Sequence, residues 1–478
     1  MHRFLHILLL LGLLPAATQA QDFTEFLHRV NTAQEQRRQF LVDSFLTVVP
    51  GFPYIESDTR VHFLYTGEAK DVVLAGDANN WNVTASPLTR LSTTSLWYRS
   101  EQYEADARLD YKLVVDKNWM LDPRNPLTIT SGYGPNSELR MPDYLPPQEI
   151  QPQQHIAGGS LVDTQFTSAA LQNTREARIY LPAGYAQSEE RYPVVLFHDG
   201  PDYLSLARTA TILDNLIHER RIPPCIAVFL PPVDRSEEYA GSRRDAFAAF
   251  VVDEVMAAVD RSYRTRRDPS ARAVIGASNG GNIALYTAMR YPQCFGNAGG
   301  QSSNIIAEIS DTFRDGPFLP LRLYLDLGTY DIPVLLPLVR NFIPILADRG
   351  YDHLYREHHE GHSWGNWRAH IDDALEFFFA DLVGAAPLPE RSRGTLIRGV
   401  TPHPLHSAGQ VHVQLRRPSS LQFRLWDMAG RLQRTQRSGM LSEGAHAIPL
   451  DVSGLPTGHY LLDLATTQHR ETRVILLR

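Results

Sequence analysis

The 478-residue chain has only two cysteines, Cys225 and Cys294, which excludes a disulfide framework as what holds it together. Each precedes a different strand-like run, and those strands are not expected to be neighbours, so two free thiols are expected. Neither has another Cys or His at ligand spacing, and no metal site is expected on them. An excess of one charge is lacking too: 46 basic against 53 acidic residues leave a formal −7, and nothing in that balance calls for nucleic acid as a partner. Beyond the first twenty residues there is no long apolar run, so no transmembrane segment is expected. Tandem repeats and low-complexity tracts are missing as well.

What is there is ordinary globular composition, 43% hydrophobic and 21% charged, in a chain longer than one hydrophobic core usually holds. The first residues read His2-Arg3, an apolar run from Phe4 to Leu14, then Pro15 to Ala20 with small residues at the end. That is the layout of a secretory signal peptide, with cleavage expected after Ala20 and export as the destination, extracellular or at the cell surface by way of the periplasm. From Phe23 to Leu46, apolar residues at near-helical spacing predict an N-terminal helix. From Val61 the pattern changes to short strand-like runs separated by turn clusters such as Gly76 to Asn80, which predicts a small β-sandwich ending near Asp143. At least two of Trp81, Trp97 and Trp119 are expected in its core rather than on sugar rings.

The polar, proline-rich stretch from Pro146 to Gln154 is expected to be a linker that does not pack. Beyond it, apolar runs alternate with helix-length segments: Val194 to His198, Cys225 to Leu230, Ala273 to Gly276, Phe295 to Gly300, Leu321 to Leu327 and Leu354 to His358. This predicts a mostly parallel sheet covered on both faces. Short alternating strands return from Gln410, as in Val411 to Leu415 and Tyr460 to Leu464. The expected organisation is therefore a leader over 1–20, a helix and sandwich over 21–150, an α/β domain over 151–385, a linker over 386–399 and a small β-module over 400–478.

Gly276-Ala-Ser278-Asn-Gly280 lies between a strand-like and a helix-like run. At such an elbow a serine sits on a strained turn, and the glycines permit backbone approach where a Cβ would clash. The following helix aims its first amides at developing negative charge, which makes Asn279 a candidate oxyanion donor. In chain order an acid and a histidine should follow. Asp331 comes in the turn after the run Leu321 to Leu327, with Asp326 as competitor inside that run, and His362 follows Gly361 beyond the next strand. A neutral imidazole would take the serine proton and return it to the leaving alcohol, with Asp331 fixing its tautomer. The loop His198-Asp199-Gly200-Pro201-Asp202 should supply the second oxyanion amide, from Gly200 or Asp202, because Pro201 has no N–H. No cofactor is expected.

Phe197 to Gly200, Phe250 to Tyr263, Gly276 to Gly281 and Gly361-His-Ser-Trp-Gly-Asn-Trp-Arg368 together resemble the esterase D superfamily of α/β-hydrolases, in particular enterochelin esterase-like proteins. Val61 to Tyr65, Gly76-Asp77, Trp81, Leu96 to Tyr98, Tyr111 and Asp122 to Pro126 are similar to the immunoglobulin-like, early-set β-sandwich that precedes the catalytic domain in that family. The resemblance spans most of residues 23–382. It implies an α/β fold with an α/β-hydrolase domain between two β-sandwiches, and ester hydrolysis by Ser278, Asp331 and His362. His198, Asp199, Trp364, Trp367 and Arg368 are the accompanying substrate-binding candidates. Relatives include siderophore trilactone esterases and feruloyl or acetyl-xylan esterases, so the substrate is not inherited.

Leu425-Trp-Asp-Met-Ala-Gly-Arg431 and Leu455-Pro-Thr-Gly-His-Tyr460 resemble the C-terminal sorting domain read by type IX secretion machinery, which implies passage across an outer membrane. That shifts the expected substrate from a siderophore trilactone toward carbohydrate-linked feruloyl or acetyl esters. Two other classes compete: a non-catalytic carbohydrate-binding or adhesion protein, and a metallohydrolase using Glu357 to Glu360 and His362. The second lacks the His-Glu-x-x-His spacing that puts two imidazoles on one helix face, and no metal is expected.

Overall fold

Eight strands form the central sheet: β1 (Ser160–Ser168), β2 (Asn173–Leu181), β3 (Val194–His198), β4 (Ile226–Leu230), β5 (Arg272–Ala277), β6 (Asn297–Gln301), β7 (Arg322–Tyr330) and β8 (Asp352–Gly361). They belong to a computed structural model that describes residues 22–383, 396–401, 404–405, 408–415, 418–428, 431–466 and 470–477. The leader over 1–20 and most of the second linker lie outside the described residues. Across the sheet the order is β1-β2-β4-β3-β5-β6-β7-β8. The β1/β2 and β2/β4 pairs are antiparallel, and every other pair is parallel. This is the α/β-hydrolase fold.

Side chains alternate across a strand, and here both faces are apolar. Val194, Leu196, Ile226, Val228 and Val274 face one core, which the helices Asn279–Arg290 and Leu335–Arg349 cover with Ile283, Leu285, Val339 and Phe342. Val195, Phe197, Ala227, Phe229 and Ile275 face the other, covered by Thr209–His218 and Ile371–Phe379. Continuous apolar runs are the consequence of this two-sided burial.

Ahead of this domain, the strands Tyr54–Ile55, Arg60–Thr66, Leu96–Gln102 and Thr89–Arg90 form one sheet of a sandwich. Val72–Gly76, Arg108–Val115, Asn118–Met120, Thr128–Ser131 and Gly134–Arg140 form the other, and Arg108 pairs with Glu360 of β8, so the two sheets run on into each other. At the C-terminal end, Leu396–Thr401, Ala408–Leu415 and Gly444–Asp451 face Leu432–Arg437, Gln422–Asp427, Gly458–Ala465 and Arg470–Leu477. Leu461 of this module enters the hydrolase core. Among the described residues no helix is long and apolar enough to cross a membrane.

Three expectations are corrected. The N-terminal segment is two helices, Phe23–Thr32 and Glu35–Val48, because Ala33 is extended. Folding back at Ala33 lets Phe26 stack on Phe45 at 3.9 Å and both seal the sandwich beside Tyr54 and Leu96. The stretch at 146–154 does pack: Ile150 is buried beside Leu213 and Leu216, and Asn215 Nδ2 donates to the carbonyls of Glu149 and Gln151 at 2.7 and 3.0 Å. Of the three tryptophans only Trp97 lies in the sandwich core. Trp81 is half-buried, and Trp119 is 49% exposed because its short strand follows a tight turn at Asp116 and Lys117 on the sheet edge.

Candidate active site

Strand β5 ends at Ala277, and the next residue, Ser278, has φ 58° and ψ −123° before the helix Asn279–Arg290 begins. A non-glycine residue at such angles is strained and persists only where its surroundings hold it. They do so here: the Ser278 N–H donates to the Gln301 carbonyl at 2.8 Å, and its own carbonyl accepts from Asn282 and Asn304 at 3.1 and 3.2 Å. A Cβ on Gly276 would overlap the Gly280 carbonyl, and one on Gly281 would overlap Ser303 Oγ. The half-buried Ser278 thus stands at the carboxyl edge of the sheet, at the head of a helix.

Asp331 follows β7 and His362 follows β8, at the same edge of the parallel sheet. His362 Nδ1 donates to Asp331 Oδ1 at 2.7 Å, and the same oxygen accepts the Ile332 N–H at 2.7 Å. An ionised carboxylate only accepts. The Nδ1 proton is therefore fixed, and a neutral ring carries its lone pair on Nε2. The His362 ring meets Trp367 edge to face at 4.9 Å, and Trp367 Nε1 donates to Ser302 Oγ at 3.0 Å. Ser302 follows Gln301, the residue whose carbonyl holds Ser278, so this chain of contacts runs from the imidazole to the elbow.

Asp326, the alternative acid, is fully buried inside β7 and accepts from Gln301 Nε2 at 2.9 Å and Tyr324 Oη at 3.1 Å. Burial pushes its carboxyl up to about 6. It braces the strands rather than the imidazole.

Among the oxyanion candidates, Asn279 opens its helix, and Asn279 Oδ1 accepts from Asn304 Nδ2 at 2.8 Å. Asp199 has φ 53°, and the helix Gly200–Ser205 starts directly after it. A Cβ on Gly200 would overlap the backbone of Phe229. The Asp202 N–H is spent on the Asp199 carbonyl at 2.9 Å, which favours the Gly200 amide. His198 is fully buried between Tyr239 and Phe247. Burial, with Arg235 nearby, pushes its imidazole down to about 3, so it is a neutral core residue beneath the site. Trp364 and Trp367 are buried edge to face at 4.9 Å, while Arg368 is half-buried with its guanidinium pKa lowered by burial and by Arg108.

Sequence reading missed Arg235. Its Nε and Nη2 grip the two oxygens of Asp199, each at 2.9 Å, and Nη2 also donates to the Ala277 carbonyl at 3.2 Å, one residue from Ser278. An arginine at the first position of the short helix Arg235–Tyr239 after β4 carries no pattern that would single it out.

The segment from Glu357 to His362 does not gather round a metal. Glu357 pairs with Arg340, His359 Nδ1 meets Asp106 at 2.5 Å, and His362 turns to Asp331. His358, His370 and Asp373 do bring ligand atoms within 4.8 Å of one another. Yet Asp373 pairs with Arg356 at 2.8 Å, and the imidazoles stack at 3.3 Å and 8°, so their in-plane lone pairs lie in two near-parallel planes and do not meet at one point between them.

Residues 168–316 match the model of the Esterase family. Uncharacterized protein YjcH of Bacillus subtilis is 26% identical over 233 residues, covering 46% of this chain and 97% of that protein. The endo-1,4-beta-xylanase/feruloyl esterase of Xylanibacter ruminicola is 27% identical over 153 residues, 30% of this chain and 21% of that protein. Among solved structures, the ferric enterobactin esterase of Salmonella typhimurium superposes with a TM-score of 0.60 at 20% identity, over 68% of this chain and 94% of that one.

Proposed function

We propose that this chain, whose residues 168–316 match the Esterase family model, is an exported serine carboxylic-ester hydrolase with Ser278, His362 and Asp331 as its triad. The observation that carries the reading is the 2.7 Å bond from His362 Nδ1 to Asp331 Oδ1 at the sheet edge where Ser278 forms its strained elbow. His362 Nε2 takes the Ser278 proton as Oγ attacks the ester carbonyl. The amides of Asn279 and Gly200 stabilise the oxyanion. His362 then protonates the leaving alcohol, and water releases the acyl group by the same steps in reverse roles. Arg235 and Asp199 hold the loop that carries the Gly200 amide.

The proposed substrates are carbohydrate-linked feruloyl or acetyl esters. The feruloyl-esterase relative supports that class, and so do the sorting-type motifs Leu425 to Arg431 and Leu455 to Tyr460, which point to a protein delivered outside the cell by secretion machinery. A siderophore trilactone is the second reading, favoured by the likeness to the enterobactin esterase structure, whose coverage of this chain exceeds the hydrolase domain alone.

Two measurements test this. Ser278→Ala should lower the hydrolysis of a small chromogenic acyl ester by at least about 10³-fold, whereas equal rates would return the chain to the non-catalytic carbohydrate-binding class. A panel of feruloylated saccharide, acetylated saccharide and catecholate trilactone then decides the substrate by kcat/KM. Preference for the trilactone overturns the carbohydrate assignment.

A further inference from the structure

The loops bearing Asp331 and His362 are gripped from outside the hydrolase domain. Arg108, on a sandwich strand some 250 positions before His362 in the chain, is fully buried. Its Nε donates to Glu138 Oε1 at 2.7 Å and its Nη2 to Asp110 Oδ1 at 2.5 Å, which orient the guanidinium from the sandwich side. Its Nη1 reaches across to Ser363 Oγ at 3.1 Å, with Glu360 Oε2 3.9 Å away. Ser363 and Glu360 are the residue after His362 and the residue two before it.

Steric contacts follow the same line. A Cβ on Gly365 would overlap the Arg108 guanidinium, and a Cβ on Gly361 would overlap the carboxyl of Asp77, another buried sandwich residue. Asp77 is itself held by the Asp110 N–H at 2.8 Å and by Trp81 Nε1 at 3.2 Å. On the acid's side, Tyr330, the neighbour of Asp331, donates through Oη to Glu104 Oε2 at 2.6 Å, and its ring meets Tyr103 edge to face at 5.8 Å. Glu104 and Tyr103 belong to the sandwich. A buried arginine among carboxylates costs desolvation that an apolar contact would avoid. What it provides instead is direction: a planar fork with fixed donor angles.

We infer that the N-terminal sandwich is a clamp that sets the position of His362 and Asp331 relative to Ser278, with Arg108 as its central positioning residue. The clamp rests on the triad reading given above. It explains why the sandwich sheet continues into β8 beside the histidine loop, and why Gly361 and Gly365 bracket His362: each leaves room for a sandwich side chain. Tyr330 extends the grip to the acid.

The test uses the full chain carrying Arg108→Met, Arg108→Lys, Gly365→Ala or Tyr330→Phe. Two readouts are taken: kcat and KM on a small chromogenic ester, and the low-field proton resonance of the His362 Nδ1–Asp331 hydrogen bond. A loosened clamp lowers kcat by about 10²-fold in Arg108→Met while KM moves little, because displacement of a reacting group by about 1 Å is enough for that loss. The low-field resonance weakens or vanishes in parallel, and Arg108→Lys, which keeps the charge without the fork, falls between. Should Arg108→Met not fold, Gly365→Ala and Tyr330→Phe decide, since the first adds one methyl against the guanidinium and the second removes one hydroxyl. Rates within about twofold of the parent and an unchanged resonance in these folded variants overturn the clamp. If the parent hydrolyses no ester but its low-field resonance is lost in the variants, the clamp stands and the esterase reading falls.

Discussion

Asp326 and Asp331 lie on the same stretch of chain and differ in what surrounds them. Asp331 bonds directly to an imidazole; Asp326 accepts from Gln301 Nε2 and Tyr324 Oη inside the sheet. Burial pushes the Asp326 carboxyl up to about 6, against about 4 in an unfolded chain. Between those values the folded protein binds the extra proton, so stability falls as pH rises through that window and levels off above it. Asp326→Asn should remove this fall, a difference of about 2 kcal/mol between pH 4 and pH 7, in urea unfolding followed at those two pH values. An unchanged slope would show that Asp326 is not the titrating group. The positions of Ser278, Asp331 and His362 after successive strands were legible because each follows a strand-like run in the chain, with Asp326 left as the competing acid. Arg235 and Arg108 were not, because their roles are contacts and a contact leaves no spacing in the chain.

At the scale of elements, burial overrode composition. The segment from Pro146 to Gln154 is polar and proline-rich, yet Ile150 inserts beside Leu213 and Leu216 and Asn215 captures the flanking carbonyls. Ile150→Ala should therefore cost about 2–4 kcal/mol, as for a core aliphatic residue, measured by chemical denaturation; a change below about 0.5 kcal/mol, the range of surface substitutions, would mean the stretch is a free linker after all. The strands of the hydrolase sheet were readable because two-sided burial demands uninterrupted apolar residues. The division of the first helical segment was not, since nothing in the spacing of Phe23, Phe26 and Phe45 says that Ala33 must be extended so that the rings can stack.

Across the whole molecule, three β-rich and α/β bodies share surfaces without a disulfide between them. Cys225 and Cys294 are buried and free, and they precede strands β4 and β6, which β3 and β5 separate in the sheet. Burial pushes the Cys225 thiol up to about 12 and raises that of Cys294 as well. A thiol-reactive chromogenic disulfide should accordingly modify neither cysteine in the native protein and both after denaturation, with melting unaffected by reductant. Modification of a single site at native pH would mean that one strand end opens.

The sequence by itself determined the α/β class, the sandwich ahead of it and the elbow serine, because periodicity, apolar runs and glycine spacing are local records of burial and backbone geometry. Only the tertiary structure decided that Asp331 rather than Asp326 meets His362, that Arg235 grips Asp199 beside the elbow, and that Arg108 reaches the histidine loop from the sandwich. Those outcomes depend on which side chains converge after the sheet is assembled, and residues hundreds of positions apart carry no mark of that convergence until the chain has folded.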